Sequence, residues 1–353
     1  MNMKLEAHAK INIALDVTGI LPNGYHKVKM IMQEIGLHDD VYVDLVLKGE
    51  NLEADCGKTC EGKDVHACDA DNKTAIETED TAIKITCTVM DEDGNDIPGV
   101  PTDEKNIAVK AARLMLDEAA ARKASGLSCG HEAGVDCTDI RNIEEVRIKL
   151  VKRIPAAAGM AGGSTDAAAV LKALNEMLSL NLSQVELMVI GLKIGADVPY
   201  CIIGGTALAE GIGEMLTPLK KMPHMPLLLI KPAEGVSTKE IYTALDEILA
   251  KDKPWLHPDV DTCAELLPLI ETPGVVLELS MFIGNILELV TAERLPVIHN
   301  IKSRMMDEGA IVSMMSGSGP TVFGLFYDEE TRDKAYDKLA AEFSGMSVIK
   351  TST

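Results

Sequence analysis

The chain has 353 residues, enough for two domains with a core each, and its 46% apolar and 25% charged residues are those of a globular protein. A formal charge of −21 argues against a nucleic-acid partner, which needs a positive footprint. No apolar run approaches the roughly 18 residues of a membrane span. Any anionic ligand must therefore be held by a local positive site inside a negative molecule.

The opening segment MNMKLEAHAKINIALDV alternates apolar and polar residues, as a half-buried strand does. It lacks the basic start, apolar block and small-residue cleavage site of a secretory leader, so the expected location is the cytoplasm. Strands are predicted at 3–8, 10–17, 27–36 and 41–48, with LPNG at 21–24 as turn chemistry. Residues 51–80 are acidic, cysteine-bearing and poor in large apolar side chains, and read as an inserted surface loop or hairpin. A strand resumes near 82–91, and helical spacing with strong helix formers covers 106–124. A second irregular stretch, 125–140, precedes a strand at 146–154. That strand runs into PAAAGMAGGSTDA and an alanine-rich helix; LSQVELMVIGLKI predicts another helix, leading to GADVPY. Beyond residue 206 the pattern predicts short strands at 207–217 and 226–231 and helices at 237–250, 259–270, 276–291 and 295–307. Strand, strand, helix and strand then finish the chain. The expected division is two α+β domains, 1–205 and 206–353.

The loop between strand and alanine-rich helix carries the first functional signal. Pro155, Ala156, Ala157, Ala158, Gly159, Met160, Ala161, Gly162 and Gly163 are mostly small residues that let backbone N–H groups approach an anion. A helix N-terminus adds unpaired N–H groups and partial positive charge, and Ser164, Thr165 and Asp166 are good capping residues there. A phosphate cradle is physically reasonable. A tight strand–helix turn reads equally well from this feature alone. No GxxxxGK[ST] motif is present, and GMAGGS lacks the G-x-G start of a dinucleotide fold.

Three segments in order, AHAKINIAL at 7–15, KRIPAAAGMAGGSTDAA at 152–168 and MMSGSGPTVFGLF at 314–326, resemble the three motifs of the GHMP kinases. NGYHKV at 23–28, IGADVPYCIIGGTALAEGIGE at 194–214 and KPAEGVSTKEIYTALD at 231–246 are most similar to the diphosphocytidyl-methylerythritol kinases within that superfamily. The similarity runs through nearly all of the chain outside 51–80 and 125–140. His8 departs from the family's usual proline and Met160 from its usual leucine. The resemblance implies a two-domain α+β GHMP kinase fold, with an N-terminal domain like ribosomal protein S5 domain 2 and a ferredoxin-like C-terminal domain. It also implies ATP with Mg²⁺, and transfer of the γ-phosphate to the 2-hydroxyl of 4-diphosphocytidyl-2-C-methyl-D-erythritol, a cytidine diphosphate-linked small molecule. No membrane or nucleic-acid partner is expected, and the assembly would be a monomer or homodimer.

The same resemblance assigns roles. Asp197, in GADVP, matches the catalytic aspartate and Lys10 the catalytic lysine; on a strand whose core face is Ile11, Ile13 and Leu15, Lys10 is expected on the opposite face. Tyr25 and His26 match residues that hold the cytosine. Asn106 and Lys152 match positions lining the adenine pocket, although a helix cap and a solvated strand charge are their plain alternatives. Ser164 and Thr165 offer hydroxyls to phosphate or Mg²⁺, and Gly317, Ser318 and Gly319 match the motif that closes over the substrate. Other acceptors (mevalonate, homoserine, a sugar) remain open, as does a non-catalytic nucleotide-binding paralogue. Cys56, Cys60, His66 and Cys68, with Cys129, His131 and Cys137, lack a paired C-x2-C signature, and no structural metal is expected of them.

Overall fold

The computed structural model describes residues 1–49, 74–78, 81–125, 140–250, 262–270 and 282–353. The cysteine- and histidine-bearing stretches at 56–68 and 129–137 lie outside them; Cys87 is a buried thiol.

Two long antiparallel strands, β1 (Asn2–Ile20) and β2 (His26–Leu47), form the spine of the large sheet. Four shorter strands were expected here. The break expected between residues 8 and 10 is a register shift at His8/Lys10 within one continuous pairing, where extra residues bend the ladder without ending it. β3 (Thr74–Thr78), β4 (Thr81–Met90) and β5 (Ile143–Val151) extend the sheet beyond β2, and β4 and β5 run parallel. The connection between those parallel strands carries helix α1 (Ile107–Ala124). Helix α2 (Gly162–Met177) lies against α1, β1 and β2. Its Ala167, Ala168, Ala169 and Ala173 are buried, and these small side chains let the helix sit close to its neighbours.

Helix α3 (Gln184–Leu192) opens with a capping box between Ser183 and Glu186. The short α4 (Val198–Ile203), which the periodicity did not predict, follows Asp197. The stretch 207–217, expected as one strand of the second domain, falls in two: β6 (Thr206–Glu210) on β2, and β7 (Met215–Pro218) on β6. Both belong to the large sheet.

The small sheet contains β8 (Pro226–Lys231), β10 (Val312–Met315), β11 (Val322–Leu325) and β12 (Ser347–Ser352), ordered β10-β11-β8-β12 with every neighbour antiparallel. Helices α5 (Thr238–Leu249), α6 (Thr262–Ile270), α7 (Glu288–Arg294) and α8 (Val297–Asp307) fall between β8 and β10, and α9 (Glu329–Glu342) between β11 and β12. That is the ferredoxin-like β-α-β-β-α-β order, with extra helices in the first crossover. Of the stretch 276–291 expected as one helix, residues 283–287 are not helical and α7 starts at Glu288. Ahead of it the two-residue strand β9 (Gly284–Asn285) runs parallel to β1 at Ala14 and Leu15, tying the C-terminal half to the large sheet. Asn285 shapes the turn into α7: its Oδ1 accepts from the Leu287 N–H at 3.0 Å, and its Nδ2 donates to the carbonyls of Met315 and Gly317, each at 2.8 Å. No described helix is long and apolar enough to cross a membrane.

Candidate active site

A cavity of about 740 Å³ opens where both sheets, the α2 N-terminus and α5 converge. Its lining includes Lys10 and Asn12 from β1, Asn106, Lys152, the loop from Pro155 to Ser164, Asp197, Thr238, Tyr242, Gly317 and Ser318. Residues from all three motif segments thus face one space.

The loop is set by a buried carboxylate. Asp39 of β2 is fully buried and accepts from the backbone N–H groups of Arg153 (2.5 Å) and Ile154 (2.8 Å), so the chain turns off β5 in a fixed direction. Ala157 (φ 49°), Gly159 (φ 72°) and Ala161 (φ 60°) then adopt left-handed conformations. Two alanines in that region carry strain that the surrounding contacts must hold. Ala161 occupies the α2 N-cap and offers no side-chain cap. The expected caps are employed elsewhere: Thr165 donates its hydroxyl to the His8 carbonyl (2.8 Å), and Asp166 pairs with Lys152 (2.5 Å). The N-terminal amides of α2, with no side chain folded over them, border the cavity alongside Gly162, Gly163 and Ser164. Met160 is buried under the loop, where its backbone carbonyl accepts from the Lys10 N–H at 3.2 Å.

The C-terminal glycine motif locks onto this loop. Ser316 donates its hydroxyl to the Gly159 carbonyl (3.2 Å) and accepts from the Asn12 N–H (3.3 Å). Thr291 donates to the Ser318 carbonyl (3.1 Å), and the Thr238 and Ser318 hydroxyls are 2.8 Å apart, joining α5 and α7 to the same rim. Gly319 lies behind the rim, where an added Cβ would meet Met315.

Lys10, on the face opposite Ile11, Ile13 and Leu15, is only 5% exposed because β1 is covered on both faces: Ala9, Ile11, Asn12 and Ile13 are also buried. Its ammonium donates to Asn12 Oδ1 at 2.5 Å. A buried ammonium is costly unless an anion meets it, and the cavity is where that anion can come from. Asp197 stands at the N-cap of α4 but makes no side-chain cap bond, which leaves its carboxylate to the cavity. Its field reaches Tyr242, whose hydroxyl is pushed up to about 12 by burial and secondarily by Asp197.

Asn106 and Lys152 line the cavity, yet their polar atoms are engaged. Asn106 caps α1 through Ala108 N–H (2.9 Å) and donates to the Pro101 carbonyl (2.7 Å). Lys152 lies between Asp39 and Asp166, all three nearly buried. Burial works against its charge, but Asp166 and Asp39 outweigh it and hold the ammonium above the usual lysine range.

Tyr25 is 60% exposed at the β1–β2 turn. His26 beside it is held by α5: its Nε2 meets Asp246 at 2.8 Å, and its ring lies 4.5 Å from that of Tyr242. Tyr242, Asp246, Thr238 and Asn12 were not singled out from the sequence. The segments containing them were, but nothing local shows that Asp246 contacts a histidine 220 residues away.

Residues 106–205 match the GHMP kinases N terminal domain and residues 266–345 the GHMP kinases C terminal domain. A 4-diphosphocytidyl-2-C-methyl-D-erythritol kinase from Clostridium botulinum (strain Alaska E43 / Type E3) is 40% identical, covering 99% of this chain and 100% of its own. The enzyme of that name from Lachnospira eligens is 38% identical over 100% and 98% of the two chains. Among solved structures, a 4-(cytidine 5'-diphospho)-2C-methyl-D-erythritol kinase superposes with a TM-score of 0.65 at 25% identity, covering 99% of this chain and all of its own. L. major mevalonate kinase, at 13% identity and a TM-score of 0.67 over 99% and 95% of the chains, shares the fold. The chain belongs to the GHMP kinases and, within them, to the 4-diphosphocytidyl-2-C-methyl-D-erythritol kinase family.

Proposed function

We propose that the chain transfers the γ-phosphate of ATP to the 2-hydroxyl of 4-diphosphocytidyl-2-C-methyl-D-erythritol, a step toward isoprenoid precursors, in the cytoplasm. The observation that carries the mechanism is the single cavity bringing Lys10, Asp197 and the α2 N-terminus together. Phosphoryl transfer needs charge neutralisation, in-line placement and a group to orient the attacking hydroxyl. The loop amides from Ala158 to Ser164 hold the phosphates. Asp197 accepts the proton of the 2-hydroxyl as its oxygen bonds to the γ-phosphorus, while the bond to the β-phosphate oxygen breaks and ADP departs. Lys10 meets the charge on the transferring group, which gives its buried ammonium an anionic partner. Mg²⁺ bound to the phosphates would supply further positive charge, and the Ser164 hydroxyl at the cavity wall is an oxygen donor that fits it.

The cytidyl end lies toward Tyr25, His26 and Tyr242. Because His26 Nε2 donates to Asp246, its Nδ1 is the acceptor that can receive a base amino group. A coupled ADP-release assay with a panel of acceptors tests the reading: turnover is expected with the cytidyl substrate and not with mevalonate, homoserine or sugars. Tyr25→Ala should raise KM for the cytidyl substrate by about 5- to 150-fold, from the roughly 1–3 kcal/mol of base–aromatic stacking, with ATP KM nearly unchanged. Equal weakening of both ligands would make Tyr25 structural.

Gly159→Ala tests the loop. A Cβ there would lie 2.4 Å from the Ser316 carbonyl oxygen on a backbone with φ of +72°. The loop must move off the C-terminal motif, and strain of about 1–3 kcal/mol should raise ATP KM by about 5- to 150-fold. Steady-state kinetics beside a thermal melt separates this from loss of the fold.

A further inference from the structure

On the outer part of the β1–β2 pair, away from the cavity, the register sets Glu6 opposite Asp40 and His8 opposite His38. Glu6 and His8 are two residues apart on β1 and therefore share a face. His8 Nε2 is 3.4 Å from Glu6 Oε2, and His38 Nε2 is 3.8 Å from Glu6 Oε1. Ligand atoms of all three residues lie within 4.8 Å of one another.

The second ring nitrogens decide what this convergence means. His8 Nδ1 is 3.1 Å from the Ile35 carbonyl oxygen, and His38 Nδ1 is 2.9 Å from that of Gly36. A carbonyl only accepts, so both Nδ1 atoms carry the hydrogen, and the Nε2 atom of each ring is the one left for a ligand. The two Nε2 atoms and the Glu6 carboxylate thus converge on one another. Nδ1–H to a backbone carbonyl is also the arrangement that orients metal-binding histidines.

We propose that Glu6, His8 and His38 bind a divalent transition ion of the Zn²⁺ class, two imidazoles and a carboxylate being a suitable donor set. Metal bonds of about 2.0–2.2 Å in a tetrahedron imply ligand–ligand edges of about 3.3 Å; the two Glu6 edges, at 3.4 and 3.8 Å, need close only slightly, and the His8–His38 edge lies within 4.8 Å. Glu6 is exposed and both histidines are partly exposed, so water can supply a fourth ligand. Asp40, whose Oδ1 is 3.9 Å from His38 Nε2, is already paired with Lys4 (3.0 Å) and Arg153 (3.1 Å), and adds negative field without serving as a ligand. The ion would clamp β1 to β2 beside the register shift that precedes Lys10, and His8 reaches the α2 head through its carbonyl bond from Thr165.

The experiment is Zn²⁺ titration of the full chain against a chromophoric chelator, with Co²⁺ as a spectroscopic substitute. One equivalent is expected, with cobalt bands of nitrogen and oxygen ligation and no thiolate charge-transfer band. His38→Ala should weaken binding at least about 100-fold, beyond the loss seen for groups that only orient a ligand. Glu6→Gln, at an exposed side chain, should weaken it in the same direction while leaving circular dichroism unchanged. Absence of binding by the unaltered chain overturns the proposal. So does a thiolate band that persists in His38→Ala, which would assign the metal to the cysteine segments.

Discussion

Asp197→Asn is expected to retain the fold and ATP binding while losing about 10²- to 10⁴-fold in turnover, the usual contribution of a general base. The carboxylate has no capping role at the head of α4, so the amide should leave that helix intact. It borders the cavity shared with Lys10 and the phosphate loop, so the loss should fall on kcat and leave ATP KM nearly unchanged. The Tyr242 hydroxyl supplies a second readout. Part of its elevation comes from the Asp197 charge, so its pKa should move down in the variant while staying above the ordinary value because of burial. Near-wild-type turnover in a pure preparation would remove Asp197 from the mechanism.

The loop at 155–163 was legible as a tight strand–helix connection because its signal is local: a run of small residues between a strand and a helix permits the left-handed turns at Ala157, Gly159 and Ala161. The capping residues misled, because Ser, Thr and Asp favour helix starts in general, whereas here Thr165 and Asp166 point back toward β1 and β5. The burial of Lys10 was not legible in the same way. Alternation sets it opposite the Ile11, Ile13 and Leu15 face but does not say that this face is covered too, because coverage is a property of topology. The short α4 escaped because VPYCII mixes proline and β-branched residues with too little length for a helical period. His26 was found as part of a motif, while Tyr242 and Asp246, which orient it, come from α5 and meet it only once the chain is folded.

Lys152→Met is expected to destabilise the protein by about 3–5 kcal/mol, the loss typical when one partner of a buried ion group is removed. The lysine side chain is 9% exposed and lies between Asp39 and Asp166, which are 0% and 4% exposed. Asp39 also accepts the Arg153 and Ile154 amides, so an uncompensated charge there loosens the start of the phosphate loop as well as the core. Burial already pushes the Asp166 carboxyl up to about 7, with Lys152 opposing and Asp39 adding to the rise. Without the ammonium the opposition disappears and the carboxyl rises further. A carboxyl whose folded pKa exceeds its unfolded value of about 3.9 binds more protons when folded. Stability therefore falls as pH rises from about 4 through the folded pKa, and the deficit against the unaltered chain should be smaller near pH 5 than near pH 8. Denaturant melts of both proteins at the two pH values measure it. A variant as stable as the parent at pH 8, with only ATP KM raised, would make Lys152 chiefly a ligand contact and the ion group incidental.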